Sequence, residues 1–263
     1  MNIIIITGAS SGIGRGFALQ MDRYFDNIDE FWLIARNRGR LERLAKNLSH
    51  NARIFAMDIT DGERRADLED AVFRHHGVVR MLVNCAGYGL MGSFGGQDTE
   101  AGPGMIRLNC EALTEITRRM LPYMRRGSRI IQMASAAAFL PQPDFAVYAA
   151  TKAYVLSFSR ALGEELKEAG IYVTSVCPGP VDTPFFQIAE AFGSTLAVKK
   201  YTMVSADRVA GLALKDSYRK RALSVCGLPM KLFFLLCRAV PHQVIFRVMD
   251  EIKAVQKNGT RKG

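Results

Sequence analysis

The chain has 263 residues, 49% of them hydrophobic, and a net charge of +10. That length suits one large α/β domain with a sizeable core. Five cysteines, odd in number and without a CxxC pair, fit reduced buried thiols rather than a disulfide framework, and no stretch is long enough to span a bilayer.

The first element is a short β-branched run, Ile3 to Ile6, which reads as a buried parallel strand. A turn follows, Thr7-Gly8-Ala9-Ser10-Ser11-Gly12-Ile13-Gly14, and then a helical pattern from Arg15 to Tyr24. Strand, glycine turn and helix form the context of a dinucleotide fingerprint. The glycines let backbone approach a pyrophosphate, and the helix N-terminus offers free N–H groups. The spacing is GxxxGxG rather than GxGxxG, and such turns also join many strands to helices with no ligand. A strand beginning almost at Met1 leaves no room for a secretory leader, so a cytoplasmic protein is expected.

Further strands are predicted at Phe31–Ala35, Ala52–Met57, Met81–Asn84, Arg129–Met133, Tyr172–Val176 and Ala222–Val225. Helical patterns lie at Asp61–His75, Met105–Arg125, Phe145–Lys167 and Ala206–Asp216, with Gly102-Pro103-Gly104 expected to delay or kink the second of these. The alternation predicts a doubly wound α/β fold, a parallel sheet with helices on both faces. There is no internal repeat or linker. No Cys and His cluster has metal-ligand spacing, and no metal is expected.

Tyr148 and Lys152, at i and i+4, share one helix face, and Ser135 lies thirteen residues upstream of Tyr148. A phenol with its ordinary pKa of about 10 is a poor proton carrier near neutrality, and a nearby ammonium favours its ionised form. Ser135 can hold a carbonyl oxygen. The plainer reading is a helix-surface Tyr–Lys pair and a small packing serine. The spacing together with the glycine turn favours chemistry.

With these residues in place, the sequence resembles the compact branch of the short-chain dehydrogenase/reductase family over Asn2 to about Gly227. The glycine turn matches the family's cofactor turn, with Gly8, Ser10, Ser11, Gly12, Ile13 and Gly14 as implied contacts. Asp58 and Ile59 match the adenine-contacting segment. Asn84-Cys85-Ala86-Gly87 matches Asn-Asn-Ala-Gly with one substitution, implying cofactor contacts from Asn84, Ala86 and Gly87. Pro178-Gly179-Pro180-Val181-Asp182-Thr183 matches the nicotinamide-lining segment, with Pro178, Gly179, Val181 and Thr183 as contacts. Asn109, Ser135, Tyr148 and Lys152 match the four catalytic positions; Ala134 stands where a first Ser is usual. The resemblance implies a Rossmann-type single domain, about seven strands in the order 3-2-1-4-5-6-7, and a water positioned by Asn109. A homodimer or homotetramer is expected.

The second strand ends in Ala35-Arg36-Asn37-Arg38, with no acid to receive a ribose hydroxyl. Arg36 can pair with a 2′-phosphate, so NADP(H) is expected over NAD(H). In the expected reaction Ser135 holds a carbonyl oxygen, Tyr148 protonates it, and Lys152 lowers the phenol pKa and bonds the nicotinamide ribose. The alternative is a non-catalytic NADP(H)-binding regulator on the same fold. A sugar epimerase is a distant third, for which the short C-terminal part leaves little room.

Phe139-Leu140, Tyr88, Leu90-Met91, Phe185-Phe186, Ile188 and Phe192 suggest an apolar pocket for a bulky carbonyl or alcohol substrate. Residues 228–263 read as a C-terminal extension of the catalytic domain at 1–227. From Lys215 onward there are eleven basic and three acidic residues, a net of +8. Val244, Ile245, Val248, Met249 and Ile252 recur at helical spacing. Such a basic amphipathic element can lie on an anionic membrane, cover the cleft, or pack between subunits, and packing is the favoured reading. Without a supporting motif, no nucleic acid is expected as partner.

Overall fold

The computed structural model describes residues 1–189 and 203–247, with the side chains of 186–188 outside that description. In chain order the larger elements begin with β1 (Asn2–Thr7), α1 (Gly12–Tyr24), β2 (Glu30–Ala35), α2 (Arg38–Ala45), β3 (Asn51–Ala56), α3 (Gly62–Arg74) and β4 (Val78–Asn84). They continue with α4 (Ala101–Ile106), a π-helical turn (Arg107–Ala112), α5 (Leu113–Met120), β5 (Arg129–Met133), α6 (Ala146–Glu165) and β6 (Tyr172–Val176). The last are β7 (Val181–Asp182), α7 (Pro184–Ala189), β8 (Val204–Ser205), α8 (Ala206–Tyr218), β9 (Leu223–Ser224) and α9 (Leu228–Ala239).

Seven strands form one sheet in the order β3-β2-β1-β4-β5-β6-β9, every pairing parallel. This is the expected doubly wound order, with β9 as the seventh strand. The continuous apolar runs follow from burial on both faces. In β1, Ile4 and Ile6 join Phe17, Met21, Leu33 and Val209 on the side of α1 and α8. Ile3 and Ile5 join Trp32, Leu68, Ile116 and Leu162 on the side of α3, α5 and α6. All four isoleucines are fully buried.

Three local features depart from the sequence reading. Gly102-Pro103-Gly104 does not delay the helix, which starts at Ala101. A proline in a first turn needs no N–H and is tolerated there. The irregularity falls downstream, in the π-helical turn that carries Asn109. Helix α2 and the two-residue β7–β8 ladder carried too little apolar pattern to be predicted. The basic amphipathic helix expected across 244–252 lies partly outside the described residues.

Candidate active site

The carboxyl ends of β1, β4, β5 and β6 open into one cleft of ≈ 1180 Å³, the expected ligand position for a doubly wound sheet. At its floor, Gly8 has φ +67°, and a Cβ there would stand 2.8 Å from the Ala86 nitrogen. The Ala86 N–H donates to Thr7 Oγ1 at 3.0 Å, tying the turn to the end of β4. A side chain at Gly14 would overlap the Gly8 carbonyl. Ser11 is extended, makes no side-chain cap, and no acid occupies the first turn of α1. The helix therefore presents its N–H groups and positive end to the cleft with no acid of its own first turn to compete. Ser10, Ser11, Gly12 and Ile13 border the same space, as do Ala86 and Gly87.

Arg36 is exposed and borders the cleft beyond β2. Asn37 Oδ1 accepts the Arg40 N–H at 2.9 Å, capping α2 and bringing Arg40 to the same wall. Arg40 was not singled out in the sequence, because nothing local distinguishes it from Arg38. Arg38 instead lies 4.0 Å from Glu42 and does not border the cleft. Asp58 and Ile59 do. Burial pushes the Asp58 carboxyl up, but the Thr60 N–H and hydroxyl, with Arg36 and Arg65, outweigh it and hold it below the usual range.

Ser135, Tyr148 and Lys152 border the cleft together. Ser135 caps a 3₁₀ turn, accepting the Ala137 N–H at 3.1 Å, and its hydroxyl lies close enough to the Tyr148 phenol to favour its ionised form. The Tyr148 ring stacks on Phe145 at 4.2 Å between centroids. Lys152 Nζ donates to the Met133 carbonyl at 2.7 Å and sits 5.6 Å from the centre of the Tyr148 ring. The Ala136 N–H donates to the Pro178 carbonyl at 2.8 Å, joining the serine loop to the segment holding Pro178, Gly179, Val181 and Thr183, all on the cleft wall.

Asn109 is fully buried and does not reach the cleft surface. Its Oδ1 accepts the Tyr88 N–H at 3.1 Å, and its Nδ2 donates to the Tyr88 carbonyl at 2.9 Å and Thr151 Oγ1 at 3.0 Å. It nevertheless lies close by: a Cβ on Gly87 would meet Asn109 Oδ1 at 2.9 Å and Lys152 Nζ at 3.5 Å. Asn84 also lies off the cleft wall. It is buried away from the cleft, its Nδ2 donating to Thr117 Oγ1 and Gln132 Oε1 at 3.0 Å each. Those polar partners under the sheet hold its side chain out of the cofactor cleft.

The electrostatics also differ from expectation. Burial pushes the Tyr148 phenol up to about 12, against the Ser135 hydroxyl, which favours ionisation. Burial pulls the Lys152 amine down to about 8. Burial is the largest influence on both groups, and the Lys152 amine is engaged by the Met133 carbonyl. Burial also raises the thiols of Cys85, Cys110 and Cys177 near the lysine, so they remain neutral near pH 7.

The far end of the cleft is apolar. Tyr88, Leu90, Leu140 and Phe185 line it as expected. Met91 and Phe139 are instead packed in the core, and Phe186, Ile188 and Phe192 lie outside the described side chains. Met230 and Phe233 complete the wall from α9. Met230 rests on Gly179, where a Cβ would come within 2.6 Å of its Sδ. The apolar pattern at 232–236 was the available sign of this helix, without its direction.

A family model described as short chain dehydrogenase matches residues 2–192. An uncharacterized oxidoreductase of Staphylococcus epidermidis is 35% identical over 184 residues, covering 69% of this chain and 79% of its own. A short-chain dehydrogenase from Sphingobium yanoikuyae, solved in complex with NADPH, superposes with TM-score 0.76 at 26% identity, covering 98% of this chain and 96% of that one. A short chain dehydrogenase/reductase from Burkholderia phymatum, solved in complex with NAD, gives TM-score 0.78 at 22% identity, covering 89% and 92%.

Proposed function

The chain belongs to the short-chain dehydrogenase family of oxidoreductases, and from that premise we propose that it is an NADP(H)-dependent enzyme interconverting a bulky apolar ketone or aldehyde with its alcohol. The observation that carries the reading is one cleft bordered by the glycine turn at one end and by Ser135, Tyr148 and Lys152 at the other. The fit to a dinucleotide rests on the backbone cradle at Gly8 and Gly14, which a Cβ would fill, and on the uncapped start of α1. Arg36 and Arg40 would hold a 2′-phosphate, and the lack of an acid at the end of β2 supports NADP(H) over NAD(H).

When bound, the nicotinamide supplies hydride chemistry to a carbonyl carbon. Ser135 Oγ orients the carbonyl oxygen. Burial pushes the Tyr148 phenol up to about 12, so in the neutral range Tyr148 Oη carries the proton that a carbonyl oxygen would receive in reduction. Once the proton has left, the Ser135 hydroxyl stabilises the phenolate. Lys152 Nζ, pulled down to about 8 by burial and 5.6 Å from the Tyr148 ring centre, is the group that would return the proton. Phe185, Met230 and Phe233 exclude water from the reacting end and favour an apolar substrate.

The test is a panel of bulky apolar ketones assayed with NADPH and with NADH, for the wild type and Tyr148→Phe. The wild type should oxidise NADPH in preference. The variant should lose about a thousandfold or more in kcat while binding NADPH almost unchanged. NADPH binding without turnover on any carbonyl would refute the enzymatic reading and favour a regulator.

A further inference from the structure

Helix α9 is apolar on two opposite sides. Its inner side packs Phe234 and Cys237 into the core and turns Met230 and Phe233 to the cleft. On its outer side Leu228, Leu232, Leu235 and Leu236 are 69%, 58%, 58% and 47% exposed. Their spacing aligns them in one stripe along the helix. A helix apolar all round is ordinarily buried, yet none of the described hydrophobic clusters includes these four leucines.

Charge indicates what meets the stripe. Lys231 and Arg238, both exposed, follow its edge two turns apart. Between Ser217 and Arg247 the chain carries six Lys or Arg and no Asp or Glu. At the foot of the stripe a second hollow, of ≈ 570 Å³, is bordered by Leu228 with Arg208, Lys215 and Lys231, against a single carboxylate, Asp207. A second copy of this face would set cation against cation, with Asp207 the one acid at the hollow among the described residues. An anionic phosphate surface over an apolar layer complements both features.

We propose that α9 and the adjoining basic hollow seat the chain on an anionic phospholipid bilayer, the leucines entering the acyl boundary and the cations meeting phosphates. At 12 residues α9 is about 18 Å long, so it lies in the interface and does not cross it. The inference is independent of the reaction, because it concerns partitioning and not turnover.

The test sediments the full-length chain with vesicles of phosphatidylcholine alone, or with about one third phosphatidylglycerol, at low and high salt. Wild type should pellet at least about tenfold more with the anionic vesicles, and salt should weaken it. Leu232→Glu with Leu235→Glu should lower pelleting about tenfold. Circular dichroism checks that this variant stays folded. Lys215→Glu with Lys231→Glu removes the preference for anionic lipid without touching the apolar stripe, and so decides the matter if the leucine variant misfolds. The proposal is overturned if wild type does not pellet, or if either folded variant pellets as well as wild type. It is also overturned if the leucine variant only converts a lipid-indifferent dimer to monomer, which would make the face a contact between copies.

Discussion

Replacing Lys152 with Met should stabilise the protein at neutral pH while ending catalysis. Lys152 is 5% exposed, and its amine titrates at about 8 against 10.5 for a solvated lysine. That gap of about 2.5 pH units corresponds to roughly 3 kcal/mol withheld from folding while the amine is charged. The substitution leaves the Met133 carbonyl without its donor, which costs about 1–2 kcal/mol. The variant should therefore be more stable than wild type by about 1–2 kcal/mol below pH 8. Between about pH 8 and 10.5 the unfolded lysine still holds its proton and the folded one has lost it. Wild-type stability then rises with pH, and the difference closes and reverses. Tyr148 is common to both proteins and drops out of the comparison. Urea unfolding of both at about pH 6.5 and about pH 9.5, without added nucleotide, measures this. A gap that does not change with pH would refute the account of a water-starved amine.

Further outcomes bear on neighbouring parts of the cleft. Arg36→Glu should raise the KM for NADPH by about tenfold or more and move preference toward NADH, as steady-state kinetics with both nucleotides would record; an unchanged ratio would remove Arg36 from recognition. Gly89→Ala should lower kcat and spare nucleotide affinity, because the new Cβ would stand 2.5 Å from Tyr148 Cδ2 and 2.9 Å from Phe145 Cζ. Equal activity in that variant would mean the ring can shift without losing its function.

The parts of the site legible in the sequence are those whose chemistry is local. Gly8 to Gly14 announce a turn because their backbone conformation and close contacts demand glycine, and Tyr148 with Lys152 share a face by helical spacing alone. The strands were legible because burial on both faces leaves unbroken apolar runs such as Ile3 to Ile6. What was not legible depends on distant packing. Asn84 sits in a recognisable motif, yet its orientation depends on Thr117 and Gln132, supplied by α5 and β5. The direction in which Tyr148 and Lys152 shift follows from how completely the cleft walls exclude water, and spacing carries no such information. Helix α9 showed its apolarity but not that Met230 would reach Gly179. Helix α2 offered only Leu41 and Leu44 as buried residues, too few to mark a period.

The links that hold the reactive groups in register all span long stretches of sequence. Ala86 is fastened to Thr7, the serine loop to Pro178, and Lys152 to Met133. The set runs from Thr7 to Pro178, and the Pro178 segment follows directly on the sixth strand. The arrangement of the cleft thus depends on contacts between strands far apart in the chain. A chain without the sixth strand would keep the glycine turn, Tyr148 and Lys152 but lose the Pro178 wall, so the proposed activity should disappear with that strand.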